Sequence, residues 1–161
     1  MTIRVLGIDP GSINTGFGII DIEGNNLKFI AADTIKLGSG EFNQRLLKIH
    51  LAILELIQKY QPQEFAIEEV FMSKNANTAL KLGHARGAAI LAAVISNLKV
   101  NEYAARLVKQ TVAGKGSAEK DEVNNSVKKL LKIQEIIKND AADALAIAIT
   151  HFYFRNKDNG I

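Results

Sequence analysis

The chain has 161 residues, of which 47% are hydrophobic and 23% charged, proportions that are usual for a globular protein and exclude a disordered or collagen-like one. It contains no cysteine, so disulfide frameworks and thiolate zinc sites are excluded. We predict a single domain over residues 1–154 and a short polar tail over residues 155–161. The first residues lack the pattern of a signal peptide, and we expect a cytoplasmic protein.

The formal net charge of +3 is unevenly distributed along the chain. Residues 1–98 hold nine basic and nine acidic side chains, whereas residues 99–138 hold nine basic and five acidic ones. A basic segment beside a neutral body is a weak indication of a polyanionic partner such as nucleic acid. Lysines solvated on a helix face explain the same excess equally well.

The first part of the chain predicts three consecutive antiparallel strands. An almost continuous apolar run from Ile3 to Ile8 is typical of a buried strand, and it ends at an Asp-Pro-Gly turn. The runs 15–22 and 27–35 are rich in strand-forming residues, and Gly24-Asn25-Asn26 between them predicts a hairpin turn.

The rest of the chain predicts mainly helices. Apolar residues at steps of three and four predict an amphipathic helix over residues 42–60, and Pro62 follows its end. Further along we predict a strand over 65–70, a helix capped by Asn77 that ends near residue 98, a strand over 100–104, a helix without an assigned range, a helix capped by Ser117 that ends near residue 137, and a helix from residue 139 or 140 through 153. This order predicts a mixed α/β domain.

Acidic residues lie where several of these elements begin or end. Asp9 ends the first strand, Glu68 and Glu69 lie near the end of the fourth, and Asp140 and Asp143 share one face of the last helix. Each has an ordinary explanation as a turn, a solvated strand end or a helix start. Together they border buried segments, where an unpaired charge is costly. Converging carboxylates need a cation, and hard oxygen ligands favour Mg²⁺ or Mn²⁺.

Several segments match a known family in the same order along the chain. The sequence resembles the RuvC Holliday-junction resolvases, of the ribonuclease-H-like superfamily, from about Leu6 to His151. The resemblance implies a ribonuclease-H-like five-stranded mixed sheet flanked by helices. The matching segments are residues 7–11, 65–72, 79–83, 85–87, 103–106, 108–112, 116–120 and 140–148.

The resemblance also implies an activity, cofactors and partners. It implies an endonuclease that uses Mg²⁺, for which Mn²⁺ can substitute, with two ions in each active site. Its substrate would be four-way junction DNA, cut by paired symmetric nicks. It implies a homodimer that works with the RuvA junction-binding protein and the RuvB motor.

The acidic tetrad of the family corresponds to Asp9, Glu68, Asp140 and Asp143, which would bind the metal ions and catalyse cleavage. Some relatives have His at the fourth position. Glu69 stands where relatives often have Gln. Strand alternation points Glu68 and Glu69 to opposite faces, and only the resemblance selects Glu68 as the ligand.

The DNA-binding positions of the family correspond to Lys109, Lys120 and Phe71. The two lysines would bind phosphates. Phe71 would stack on bases that are opened at the junction, although packing in the core explains a Phe at this position as well. Two alternatives to a junction-resolving enzyme remain open, a ribonuclease-H-like nuclease for structured RNA and a non-catalytic junction-binding module.

Overall fold

The computed structural model describes residues 1–70 and 75–157, and these residues form five strands and five helices. The strands are β1 (Thr2–Asp9), β2 (Asn14–Glu23), β3 (Asn26–Lys36), β4 (Glu64–Glu68) and β5 (Val100–Tyr103). The helices are α1 (Phe42–Tyr60), α2 (Ala76–Ile95), α3 (Ala105–Ala113), α4 (Lys120–Leu130) and α5 (Asn139–Phe154). The predicted mixed α/β order is confirmed.

The five strands form one mixed sheet in the order β3-β2-β1-β4-β5. Strand β2 is antiparallel to both of its neighbours, β1 and β3, as predicted, whereas β4 runs parallel to both β1 and β5. Ile8 of β1 pairs with Ile67 of β4. The residues that follow this pair, Asp9 and Glu68, therefore end neighbouring strands at the same edge of the sheet.

Helices cover both faces of the sheet, and strand alternation decides which residue faces which layer. Val5 and Ala66 are buried with residues of α3, α4 and α5. Leu6 and Ile67 are buried with residues of α1 and α2. The largest buried helical surface belongs to α5, whose residues 144–151 are all buried. The sheet is thus the middle layer of a three-layer domain.

Helix α2 begins and ends earlier than predicted. The side chain of Asn75, not that of Asn77, caps it by accepting hydrogen bonds from the backbone N–H groups of Asn77 and Thr78. The helix ends at Ile95, and Asn97 adopts a positive φ of 61° just beyond it. Its length and mean hydropathy of 1.2 meet the criteria for a membrane-spanning helix by composition only, while four of its alanines are buried in the core.

The helix predicted without an assigned range is α3, and the helix after it, α4, is shorter than predicted at both ends. Ser117 does not cap α4, because the chain turns there through a bond from the Ala118 N–H to the Lys115 carbonyl and the helix begins after Glu119. At the other end Lys132 has a φ of 55°, and this left-handed residue stops the helix after Leu130.

Candidate active site

Two of the predicted acidic residues meet at the edge where β1 and β4 end. Asp9 is the last residue of β1 and Glu68 the last residue of β4. Their carboxyl groups lie close enough to perturb each other's pKa. Asp9 lies on the same face of β1 as Val5, and Glu68 lies on the same face of β4 as Ala66, and this face is covered by α5. The two carboxyl groups therefore point toward the layer that contains α5.

Helix α5 supplies the other two acidic residues from its first turns. One carboxylate oxygen each of Asp9, Asp140 and Asp143 lies within 4.8 Å of the others. The helix comes this close because the strand residues below it are glycines. A Cβ atom on Gly7 would lie 2.3 Å from the backbone oxygen of Ala144, so only glycine fits beneath the helix there. Glu68 lies beside Asp9 and Asp143, because its charge raises the pKa of both. We call Asp9, Glu68, Asp140 and Asp143 the acidic group.

Burial and mutual repulsion raise the pKa values within the acidic group. Burial, and then the charges of Glu68 and Asp143, raise the pKa of Asp9 well above its usual value. Burial and the charge of Glu68 raise the pKa of Asp143 to about 6. Burial also raises the pKa of Glu68. Carboxylates that repel one another in a half-buried site are stabilised by a bound cation.

The donor atoms of the acidic group fit a hard divalent metal ion. All of its side chains carry carboxyl groups, and those of Asp9, Asp140 and Asp143 place one oxygen each within 4.8 Å of one another, close enough to share a metal ion. Mg²⁺ and Mn²⁺ prefer such oxygen ligands, whereas zinc structural sites draw on Cys and His. The structure thus supports the use of a divalent metal ion at this edge of the sheet.

Both predicted DNA-binding lysines lie beside the acidic group. Lys109 on α3 and Lys120 at the start of α4 line a cavity of about 170 Å³ together with Glu68 and Asp143. Their positive charges lower the pKa of Asp143, against the larger effect of burial. Lys120 is exposed and Lys109 is half-buried. The fold thus brings the basic segment of the sequence next to Asp9 and Glu68, which lie far from it in the chain.

The structure separates the two neighbouring glutamates. Glu69 is exposed, lies one residue beyond the end of β4, and donates its backbone N–H to the carbonyl of Tyr103 over 2.9 Å. Glu68, and not Glu69, raises the pKa of Asp9 and lines a cavity with Asp143. Phe71, the predicted base-stacking residue, lies outside the described residues.

One residue at this edge received no role from the sequence. Arg86 of α2 donates a hydrogen bond from Nε to the backbone carbonyl of Glu68 over 3.0 Å. Its guanidinium also forms an ion pair with Glu102 of β5 at 2.7 Å. The sequence feature that could have identified Arg86 is a charged residue between Ala85 and Ala89, two alanines that α2 buries.

The fold and the acidic group together define a metal-dependent nuclease of the ribonuclease-H-like class. A family model described as "Crossover junction endodeoxyribonuclease RuvC" matches residues 5–151. The chain therefore belongs to the RuvC family, and the resemblance predicted from its motifs is confirmed.

Individual relatives agree with this assignment over nearly the whole chain. The chain is 56% identical to the crossover junction endodeoxyribonuclease RuvC of Dichelobacter nodosus, over 92% of this chain and 84% of the relative. It is 53% identical to that of Photorhabdus laumondii, over 93% of this chain and 87% of the relative. The solved structure of Thermus thermophilus RuvC in complex with Holliday junction substrate superposes with a TM-score of 0.88 at 33% identity, covering 97% of this chain and 96% of the other. The predicted ribonuclease-H-like mixed sheet is thereby confirmed.

Proposed function

We propose that this protein is a Mg²⁺-dependent endonuclease that resolves four-way DNA junctions by paired symmetric nicks during recombination and repair. The observation that carries the proposal is the convergence of Asp9, Asp140 and Asp143 within 4.8 Å at the strand edge where Glu68 ends β4. Membership of the RuvC family and the likeness to a junction-bound relative support the choice of substrate. We assign the activity to a single domain over residues 1–154.

We assign Mg²⁺ as the physiological ion, with Mn²⁺ as a substitute, and two ions to each site. Four carboxylates carry four negative charges when ionised, and two divalent cations neutralise that charge. When bound, such ions supply an activated water and neutralise charge on the phosphodiester. The carboxylates of Asp9, Glu68, Asp140 and Asp143 hold and orient the ions.

Lys109 and Lys120 are assigned to the DNA phosphates. Both side chains border the cavity that also contains Glu68 and Asp143, so a strand whose phosphate enters the acidic group passes both lysines. Each lysine offsets the repulsion between the acids and the phosphates, which are both anionic. Phe71 is assigned to stacking on an opened base on the strength of the family motif alone.

A homodimer is required for two symmetric nicks, because the described part of each chain contains one acidic group. The outward face of α2 supports a second copy as partner, since it exposes apolar side chains instead of charged ones. Leu80, Leu91 and Val94 are each more than half exposed, and a Cβ on Gly83 or Gly87 would meet nothing within 4 Å. These residues recur on one helical face, opposite the buried alanines, and the glycines allow close approach of another helix.

The dimer is tested by sedimentation of the wild type and of Leu91→Glu at equal concentration. We expect the wild type to sediment as a dimer and the variant as a folded monomer that no longer makes paired nicks. A variant that remains dimeric would contradict this use of α2.

By family membership we also propose RuvA and RuvB as partners, and the cytoplasm, where the DNA of a bacterial cell lies, as the site of action.

The decisive experiment compares substrates under one set of conditions. A four-way junction, a linear duplex and a structured RNA are incubated with the protein and Mg²⁺, and Asp9→Asn is the matched control for a contaminating nuclease. We expect symmetric cuts near the crossover of the junction, none in the duplex and none with Asp9→Asn. Cleavage of the RNA alone would favour an RNA nuclease, and junction binding without cleavage would favour a binding module.

A further inference from the structure

Arg86 joins three elements at the strand end that presents Glu68. It lies on α2, its Nε donates to the backbone carbonyl of Glu68 on β4 over 3.0 Å, and its guanidinium pairs with Glu102 on β5 at 2.7 Å. The Arg86 side chain is only 17% exposed, whereas that of Glu102 is 44% exposed. The arginine is therefore held mostly inside the protein, at the junction of α2 with the sheet.

Arg86 hydrogen-bonds to the backbone carbonyl of Glu68 and not to its carboxylate, so it can position Glu68 without occupying a ligand atom. Glu68 is the last residue of β4, and strand or helix ends lose order unless a further contact holds them. Its carboxyl group must face Asp9 for both to belong to the acidic group. A bond to the backbone carbonyl fixes the position of the residue and leaves both carboxylate oxygens available to a metal ion.

We propose that Arg86 is a positioning residue that holds the end of β4 so that the carboxylate of Glu68 is placed for metal binding. The proposal rests on the metal-binding role proposed above for the acidic group. Outer contacts that orient metal ligands typically contribute about 10- to 100-fold to metal affinity. Because Arg86 acts through the backbone, its loss weakens metal binding without removing a ligand.

The structure offers a matched control in Glu102. Glu102→Gln removes the ion pair but leaves the hydrogen bond from Arg86 Nε to the Glu68 carbonyl possible. Arg86→Gln removes both, and Arg86→Lys keeps the positive charge but has no Nε–H in a guanidinium plane. If Arg86 served only the ion pair, Arg86→Gln and Glu102→Gln would behave alike.

The test measures Mn²⁺ binding to the DNA-free protein by calorimetry, together with thermal melting in the absence of metal. We expect Arg86→Gln to weaken Mn²⁺ binding by about 10-fold or more, Arg86→Lys to weaken it less, and Glu102→Gln to leave it unchanged. The Glu69 amide, which donates to the Tyr103 carbonyl beside Glu68, should exchange its hydrogen faster in Arg86→Gln than in Glu102→Gln.

Three outcomes would overturn the proposal. They are wild-type Mn²⁺ affinity in Arg86→Gln, equal losses in Arg86→Gln and Glu102→Gln, and failure of both Arg86 variants to fold, which would make Arg86 a purely structural residue. If only Arg86→Gln fails to fold, Arg86→Lys must bind Mn²⁺ more weakly than Glu102→Gln. Mn²⁺ binding is measured without DNA, so it does not depend on junction cleavage. If the proposed function is wrong, the wild-type protein itself fails to cut the junction, whatever the Arg86 variants do.

Discussion

A Cβ atom on Gly16 would lie 2.0 Å from the backbone oxygen of Asp140, so the first turn of α5 rests directly on the backbone of β2. Gly16 is also the residue of β2 that pairs with Asp9 of β1. One glycine thus lies between the strand that supplies Asp9 and the helix that supplies Asp140 and Asp143. Its missing side chain sets the distance between the two parts of the acidic group.

Gly16→Ala should therefore damage both stability and metal binding. The added methyl group forces α5 away from the sheet, and overpacking of this kind typically costs about 1–3 kcal/mol of unfolding free energy. Urea unfolding and Mn²⁺ calorimetry measure the two effects. Gly40→Ala is the matched control, because a Cβ there meets nothing within 4 Å. Equal behaviour of the two variants would show that α5 can move without cost.

Glu68→Gln and Glu69→Gln should have opposite outcomes although the residues are neighbours. Glu68 contacts Asp9 within the acidic group, whereas Glu69 is exposed. We expect Glu68→Gln to lose Mg²⁺-dependent cleavage by about 100-fold or more, since a ligand contributes at least as much as an outer contact, and Glu69→Gln to remain active. Both should bind the junction, as measured by gel shift without metal. An inactive Glu69→Gln beside an active Glu68→Gln would reverse the assignment.

Lys109→Ala and Lys120→Ala should weaken DNA binding and leave the metal site in place. Removing one phosphate contact makes the negative slope of log K against log salt concentration shallower by about one unit. Binding isotherms at several salt concentrations measure the slope. If a variant binds with an unchanged slope but cuts slowly, its lysine stabilises the negative charge that develops during cleavage and does not serve binding.

The metal-free protein should become less stable as the pH rises from about 4 to about 6 through the contribution of Asp143. Burial and the charge of Glu68 raise its pKa from the usual 3.8 to about 6, so the folded state binds the extra proton across this range and stability falls as that proton leaves. Asp143→Asn should remove this dependence and stabilise the metal-free protein at pH 7 by on the order of 1 kcal/mol.

Urea unfolding of the wild type and Asp143→Asn in a chelating buffer at several pH values checks this dependence. His151, whose pKa burial lowers, works in the opposite direction, because the unfolded state then binds the extra proton at low pH. The difference between the two proteins cancels this common contribution. A difference that does not change with pH would contradict the prediction.

Phe71→Ala should cut an intact junction slowly and a junction with unpaired central bases at nearly the normal rate. Stacking of an aromatic ring on a base contributes about 1–3 kcal/mol, which offsets part of the cost of opening the crossover. Cleavage rates on the two substrates measure this. A large drop in melting temperature without rescue by the opened junction would instead indicate a residue of the core, whose truncation costs about 3–5 kcal/mol.

Much of the fold and the composition of the site were predictable from local patterns. The apolar run before Asp9 and the steps of three and four in α1 indicated a strand and a helix because burial on one face requires those periods. Helix boundaries were harder to predict. Ser117 has a capping side chain, but the chain turns there instead, and only the backbone conformation at Lys132 shows where α4 ends.

Only the tertiary structure decided which acidic residues meet. Alternation along β4 separates Glu68 from Glu69, but it does not say which face α5 covers, and α5 is more than seventy positions further along the chain. Nor does local sequence show that Gly7 and Gly16 pack against the backbone of α5 or that Arg86 reaches the Glu68 carbonyl. These contacts join residues that are far apart in sequence, and they exist only because the buried faces of the sheet and of α5 exclude water together.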